Sequence, residues 1–198
     1  DFPMGFICAT HAFSDPENHV PAPYLRRAFH LTSNPQKADL LICGLGFYDL
    51  FINGERVTKG PLAPYFAAPD DILYYDAYDL SDLLKTGENV IGIVLGNGYQ
   101  NALGGSVWDF EKARGRGAPC AALRLRVLGE NEEEFVLESD SQFKTSASPI
   151  TFDDLRYGVY YDARLEQPGW ASTGFDDSGW SAALCAPVPR GEPRICQA

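Results

Sequence analysis

No stretch of this sequence approaches the ~20 consecutive apolar residues of a membrane-spanning helix, so a helical membrane protein is not expected. Basic residues are in short supply: 16 Lys and Arg stand against 27 Asp and Glu, a formal charge of −11. Such a chain repels phosphate backbones and anionic lipid surfaces, which sets nucleic acid and membranes aside as partners. The N-terminal residues DFPMGFICAT hold no basic region followed by an apolar stretch, so no signal peptide is read. The five cysteines, Cys8, Cys43, Cys120, Cys185 and Cys196, form no CxxC pair. Cys43 and Cys120 sit in apolar runs and read as buried thiols, which favours a reducing, cytoplasmic setting. A periplasmic or secreted location would follow if a signal peptide had been removed. A Cys8–Cys185 or Cys8–Cys196 bridge stays open as the alternative.

Catalytic signatures are missing as well. The three histidines, His11, His19 and His30, all fall in the first thirty residues, poorly placed for a zinc site or a Ser-His-Asp triad. No GxxxxGK[ST], GxSxG or HExxH motif occurs. Gly44-Leu45-Gly46 follows a strand-like run but leads into another strand, without the helix N-terminus that a dinucleotide needs. The acidic pairs Asp70-Asp71, Asp153-Asp154 and Asp176-Asp177 read as turns and caps, with a bound Ca²⁺ as the sharper alternative. No catalytic residue and no metal ligand is assigned.

An amphipathic helix of ten or more residues is also absent, and strand signals fill the space. A hydrophobic share of 45% and an aromatic share of 13% supply a packed core. Tyr24–Leu31, Ala38–Cys43, Phe47–Ile52, Ile72–Tyr78, Val90–Leu95, Ala121–Leu128 and Phe135–Glu138 read as strands. Asn53-Gly54 predicts a type I′ hairpin, because both positions tolerate positive φ. Asp79 or Ser81 caps a single helical turn closed by Gly87. Residues 96–118 form a Gly-rich excursion too long for an ordinary hairpin loop. Short strands at intervals of about 10–20 residues predict an all-β fold. The expected form is a two-sheet antiparallel β-sandwich with long loops and at most short helical turns. The expected boundaries are a lead-in over residues 1–23, a sandwich over 24–186 and a tail over 187–198.

The order of the motifs carries a resemblance. GLGFYDLFINGERV, LAPYF and LYYDAYDLSDLLKTGENVIGIVLGNGYQN are followed by SASPITFDDLRYGVYYDARLEQPGW and FDDSGW. Together, across roughly residues 24–180, they resemble the N-terminal β-sandwich domain of bacterial α-L-rhamnosidases. The resemblance implies a jelly-roll that accompanies a catalytic (α/α) barrel in the same polypeptide, the barrel carrying the acidic residues of hydrolysis. It further implies a sugar site for rhamnose-containing carbohydrate, assisted in some relatives by Ca²⁺. Tyr65 and Tyr99 depart from the family's tryptophans, and Val159 stands where an acidic residue is usual.

Sugars stack their C–H faces on aromatic rings and take hydrogen bonds from Asn, Asp and Arg. The 96–118 excursion supplies that mixture, so Asn97, Tyr99, Asn101, Trp108, Asp109 and Arg114 are the candidate carbohydrate contacts. The same side chains would otherwise cap the core and satisfy the loop backbone. Trp170 and Trp180 are expected to pack one sheet on the other, or on a following domain. The functional expectation is a non-catalytic accessory domain of a rhamnosidase-like glycoside hydrolase. A free-standing lectin-like module and an autonomous hydrolase are the alternatives.

Overall fold

The computed structural model describes residues 2–3, 5–12, 14–15, 17–103 and 112–196. Among them are fifteen strands, numbered here in chain order. One sheet has the order β14 (Leu184–Cys185), β1 (Ile7–Cys8), β8 (Cys120–Gly129), β3 (Pro35–Leu45), β6 (Ile72–Asp79), β15 (Glu192–Ile195), with β9 (Glu134–Glu138) also on β8. The other runs β13 (Ser181–Ala182), β10 (Lys144–Ala147), β2 (Pro23–Leu31), β7 (Gly87–Gly96), β4 (Phe47–Ile52), β5 (Glu55–Arg56). A separate hairpin joins β11 (Ile150–Asp154) to β12 (Gly158–Tyr161). Pairing is antiparallel throughout except between β15 and β6, which run parallel. The lead-in stretch contributes β1, and the tail contributes β15.

Period-two alternation builds the core. Ala38, Leu40 and Ile42 of β3 and Leu123, Leu125 and Val127 of β8 face Leu25 of β2, Leu50 of β4 and Ile91, Ile93 and Leu95 of β7 in one buried cluster. Each of the Leu, Ile and Val side chains contributes about 1.5–3 kcal/mol on leaving water. The chain passes from the first sheet to the second between β3 and β4. Gly46 makes that step at φ +110°, and a Cβ there would lie 2.2 Å from the Gly96 carbonyl oxygen.

The hairpin turn forms as the sequence predicts: Asn53 and Gly54 have φ of 52° and 91°, and Ile52 pairs with Glu55. Asn53 also donates from Nδ2 to the Leu83 carbonyl at 2.9 Å and accepts from Val90 N–H at 2.9 Å. The capped segment after Asp79 is one turn and no more. Leu83 and Leu84 N–H both donate to the Leu80 carbonyl, and Ser81 N–H donates to Asp79 Oδ1.

Two expectations are corrected. Trp170 and Trp180 do not pack between the sheets, because the segment after β12 folds across the outer face of the six-stranded sheet. There Trp170 stacks on Tyr24 at 4.0 Å, with Trp180 6.0 Å from the same ring. The Cys8–Cys185 and Cys8–Cys196 bridges do not form, and all five thiols are free. In the register of β1 with β14, Cys185 faces Ile7, one position from Cys8, so the two side chains leave opposite faces of the sheet.

Candidate functional site

The excursion after β7 begins with a turn at 97–101, held by buried polar side chains. Asn97 is 2% exposed; its N–H and Nδ2 donate to the two Asp153 carboxylate oxygens at 2.6 and 2.7 Å, and Nδ2 also donates to the Val20 carbonyl. Asn101 is 1% exposed, donates from Nδ2 to Asn97 Oδ1 at 2.5 Å, and accepts from Ser14 N–H at 2.8 Å. Gln100 Nε2 donates to the Gly115 carbonyl at 2.8 Å, clasping the far side of the excursion. Burial pushes the Asp153 carboxyl up, and the Asn97 donors oppose that rise.

Placed this way, Asn97 and Asn101 hold the loop and present no free polar edge to solvent. Tyr99 differs: it is 46% exposed and points outward from the turn. The loop after β5 brings Phe66, 49% exposed, to 4.9 Å from the Tyr99 ring, and Phe47 approaches the same ring edge-on at 6.4 Å. Tyr65, also half exposed, packs edge-on to Tyr74 at 5.8 Å. Phe47, Phe66 and Tyr99 thus form a contiguous aromatic shelf at one end of the sandwich, with Tyr65 beside Phe66 in the chain. Arg114 is exposed. Trp108 and Asp109 lie outside the described residues, as do Gly104 and Gly105.

The sequence marked Tyr99 as a candidate contact but missed Phe66, which packs beside it. The available signal was Pro64-Tyr65-Phe66, adjacent aromatics in a proline-bounded loop, where strand alternation cannot bury both. It also missed Asp153, read as a solvated turn, because its partner Asn97 is 56 residues away.

The described residues do not fit a Ca²⁺ cradle. No three His, Cys, Asp or Glu side chains among them gather into a metal-holding group. Asp153 is taken by Asn97, while Asp154 accepts from the N–H groups of Leu103, Arg156 and Tyr157. Asp162 makes a two-pronged pair with Arg164, at 2.8 and 2.6 Å, on the surface.

The fold and this end loop define an all-β sandwich module bearing an exposed aromatic shelf. The chain belongs to the α-L-rhamnosidase N-terminal domain family, whose model matches residues 33–198. An α-L-rhamnosidase of Formosa agariphila is 37% identical over 164 residues, which is 82% of this chain and 17% of that protein. One from Streptomyces avermitilis is 30% identical over 81% of this chain and 15% of its own length. Among solved structures, the α-L-rhamnosidase of Dictyoglumus thermophilum superposes with a TM-score of 0.84 at 30% identity, covering 97% of this chain and 22% of that one. The chain therefore spans less than a fifth of the curated rhamnosidases it matches. A Pleurotus ostreatus lectin shares the fold at 16% identity, with a TM-score of 0.57, covering 93% of this chain and 41% of that one.

Proposed function

We propose that this chain is the non-catalytic sandwich of an α-L-rhamnosidase, that it packs against a catalytic barrel of the same polypeptide, and that its aromatic shelf binds a rhamnosyl sugar. Family membership supports the first two parts. The sugar reading is carried by one observation, the exposed Phe66–Tyr99 ring pair at the mouth of a polar-braced turn. Rhamnose, a 6-deoxy sugar, offers a methyl group and a C–H face to such rings, and a neutral ligand suits a chain of charge −11. Tyr99 and Phe66 provide the stacking surface; Arg114 is a further candidate contact, exposed in the same excursion, while the candidates Trp108 and Asp109 lie outside the described residues. Asn97 and Asn101 act indirectly, by fixing the turn that presents Tyr99. A reducing, cytoplasmic setting is part of this proposal, on the burial of Cys43 and Cys120 within strands.

Titration calorimetry with L-rhamnose tests the shelf. Weak binding is expected, abolished by Tyr99→Ala and by Phe66→Ala. No heat with rhamnose, with or without Ca²⁺, sinks the sugar reading and leaves the accessory role intact. Hydrolysis of an aryl α-L-rhamnoside by the isolated chain would instead overturn the non-catalytic assignment.

A further inference from the structure

The outer face of the seven-stranded sheet carries a second apolar cluster, formed by Phe6, Cys8, Cys43, Leu73, Cys120 and Ala122. Three of these are thiols, and strand register decides which of them can meet. In the pairing of β1 with β8, Cys8 stands directly opposite Cys120. Directly opposed residues in an antiparallel ladder have Cα atoms about 4.5–5.5 Å apart, inside the about 4.4–6.8 Å range of disulfides. Cys43, on β3, is opposite Ala122 and so only diagonal to Cys120, at about 7–8 Å. Cys185 is excluded by facing, as described above, and Cys196 lies beyond β6, where its N–H donates to the Tyr75 carbonyl.

Both thiols are buried, Cys8 at 1% and Cys120 at 5% exposure, and they border one cavity. Cys8 and Cys120 line a cavity of 470 Å³ bounded by the 115–118 loop and the 186–190 tail, a volume within the about 300–1,000 Å³ of small-molecule sites. His11 lies on the same wall, its Nδ1 3.8 Å from the Cys8 sulfur, within reach to take the thiol proton.

We propose that Cys8 and Cys120 form a cross-strand dithiol that exchanges with a small-molecule disulfide of the glutathione type, closing a bridge between β1 and β8. Cys8, its proton passed to His11, attacks one sulfur of glutathione disulfide. That S–S bond breaks, one glutathione leaves as thiolate and takes up a proton, and a mixed disulfide remains on Cys8. Cys120, deprotonated in turn, attacks the Cys8 sulfur, and the second glutathione departs. Two protein thiols are oxidised and one glutathione disulfide is reduced to two glutathiones. Burial pushes both thiols up, so exchange is slow near neutrality and accelerates as pH rises. The product stitches the two-residue β1 to the longest pairing in its sheet.

The test incubates the chain with excess glutathione disulfide and maps it by mass spectrometry after digestion without reductant. The expected result is a single intramolecular cross-link, Cys8–Cys120, beside a glutathione adduct on the exposed Cys185, with both reversed by dithiothreitol. Cys120→Ser should stop at a glutathione adduct on Cys8, and Cys8→Ser should leave Cys120 unmodified. His11→Ala should slow adduct formation several-fold near neutral pH and leave the cross-linked pair the same. Circular dichroism confirms that each variant is folded. A cross-link through Cys43, Cys185 or Cys196 overturns the proposal. So does a folded chain that keeps Cys8 and Cys120 reduced while the denatured chain oxidises.

Discussion

The segment after β7 and the segment after β12 draw on the same residue types, aromatics with Asp and Gly, and meet opposite fates. In the turn at 97–101, the polar side chains of Asn97, Gln100 and Asn101 turn inward and the aromatic Tyr99 stays outside. After β12, Trp170 folds down onto Tyr24, and Asp177 follows it to reach Arg26, whose side chain is only 2% exposed. Arg26 further donates from Nε to the Trp170 carbonyl at 2.8 Å and from Nη2 to the Ser172 carbonyl at 3.2 Å. Lys144 adds a second cation to Asp177 at 2.7 Å. The difference lies in what each segment finds beneath it. Gly92 leaves a recess in β7 that Trp170 fills, since a Cβ there would come within 2.8 Å of the indole ring. No such recess receives Tyr99. Its ring leans on the exposed Phe66 and the half-buried Phe47.

That contrast between a seated strap and an open shelf can be broken by mutation. Asp177→Ala should have the largest effect, about 3 kcal/mol in urea denaturation, because it strands the buried Arg26 guanidinium. A loss below about 1 kcal/mol would mean that the strap is not anchored by this pair. Gly92→Ala should cost about 2 kcal/mol by crowding Trp170 and Ala171, with a red shift of tryptophan emission as the strap lifts. Unchanged emission would place the recess elsewhere. Asn97→Ala should cost about 1–2 kcal/mol, since Asp153 and Asn101 each lose a buried partner. Tyr99→Ala should change stability by about 0.5 kcal/mol or less, as expected for a surface side chain, while removing rhamnose binding. A large stability loss at Tyr99 would make the shelf a structural lid and erase the comparison.

The strands were legible because their signals are local. Alternation in β3, β7 and β8 and the Asn53-Gly54 turn need only neighbours in the chain, and they appear where the periodicity puts them. The short strands β1, β14 and β15 were not legible, since two to four residues carry no period and exist only by pairing with β8, β1 and β6. For the candidate site, Tyr99 could be read only as an aromatic that either meets a ligand or covers the end of the core. Asn97 and Asn101 looked like sugar contacts from composition alone, because Asn offers the same donors to a ligand as to a buried Asp153.

By itself, then, the sequence determined the class of fold, the hairpin turns, the family likeness and the acidity that shapes the choice of partners. Each is a property of residue order or of summed charge. Tertiary structure decided which polar groups are occupied, which aromatics are covered, and which thiol stands opposite Cys8. Those outcomes depend on strand register and on contacts dozens of residues apart in the chain. A single position of slip would turn each of those side chains to the other face.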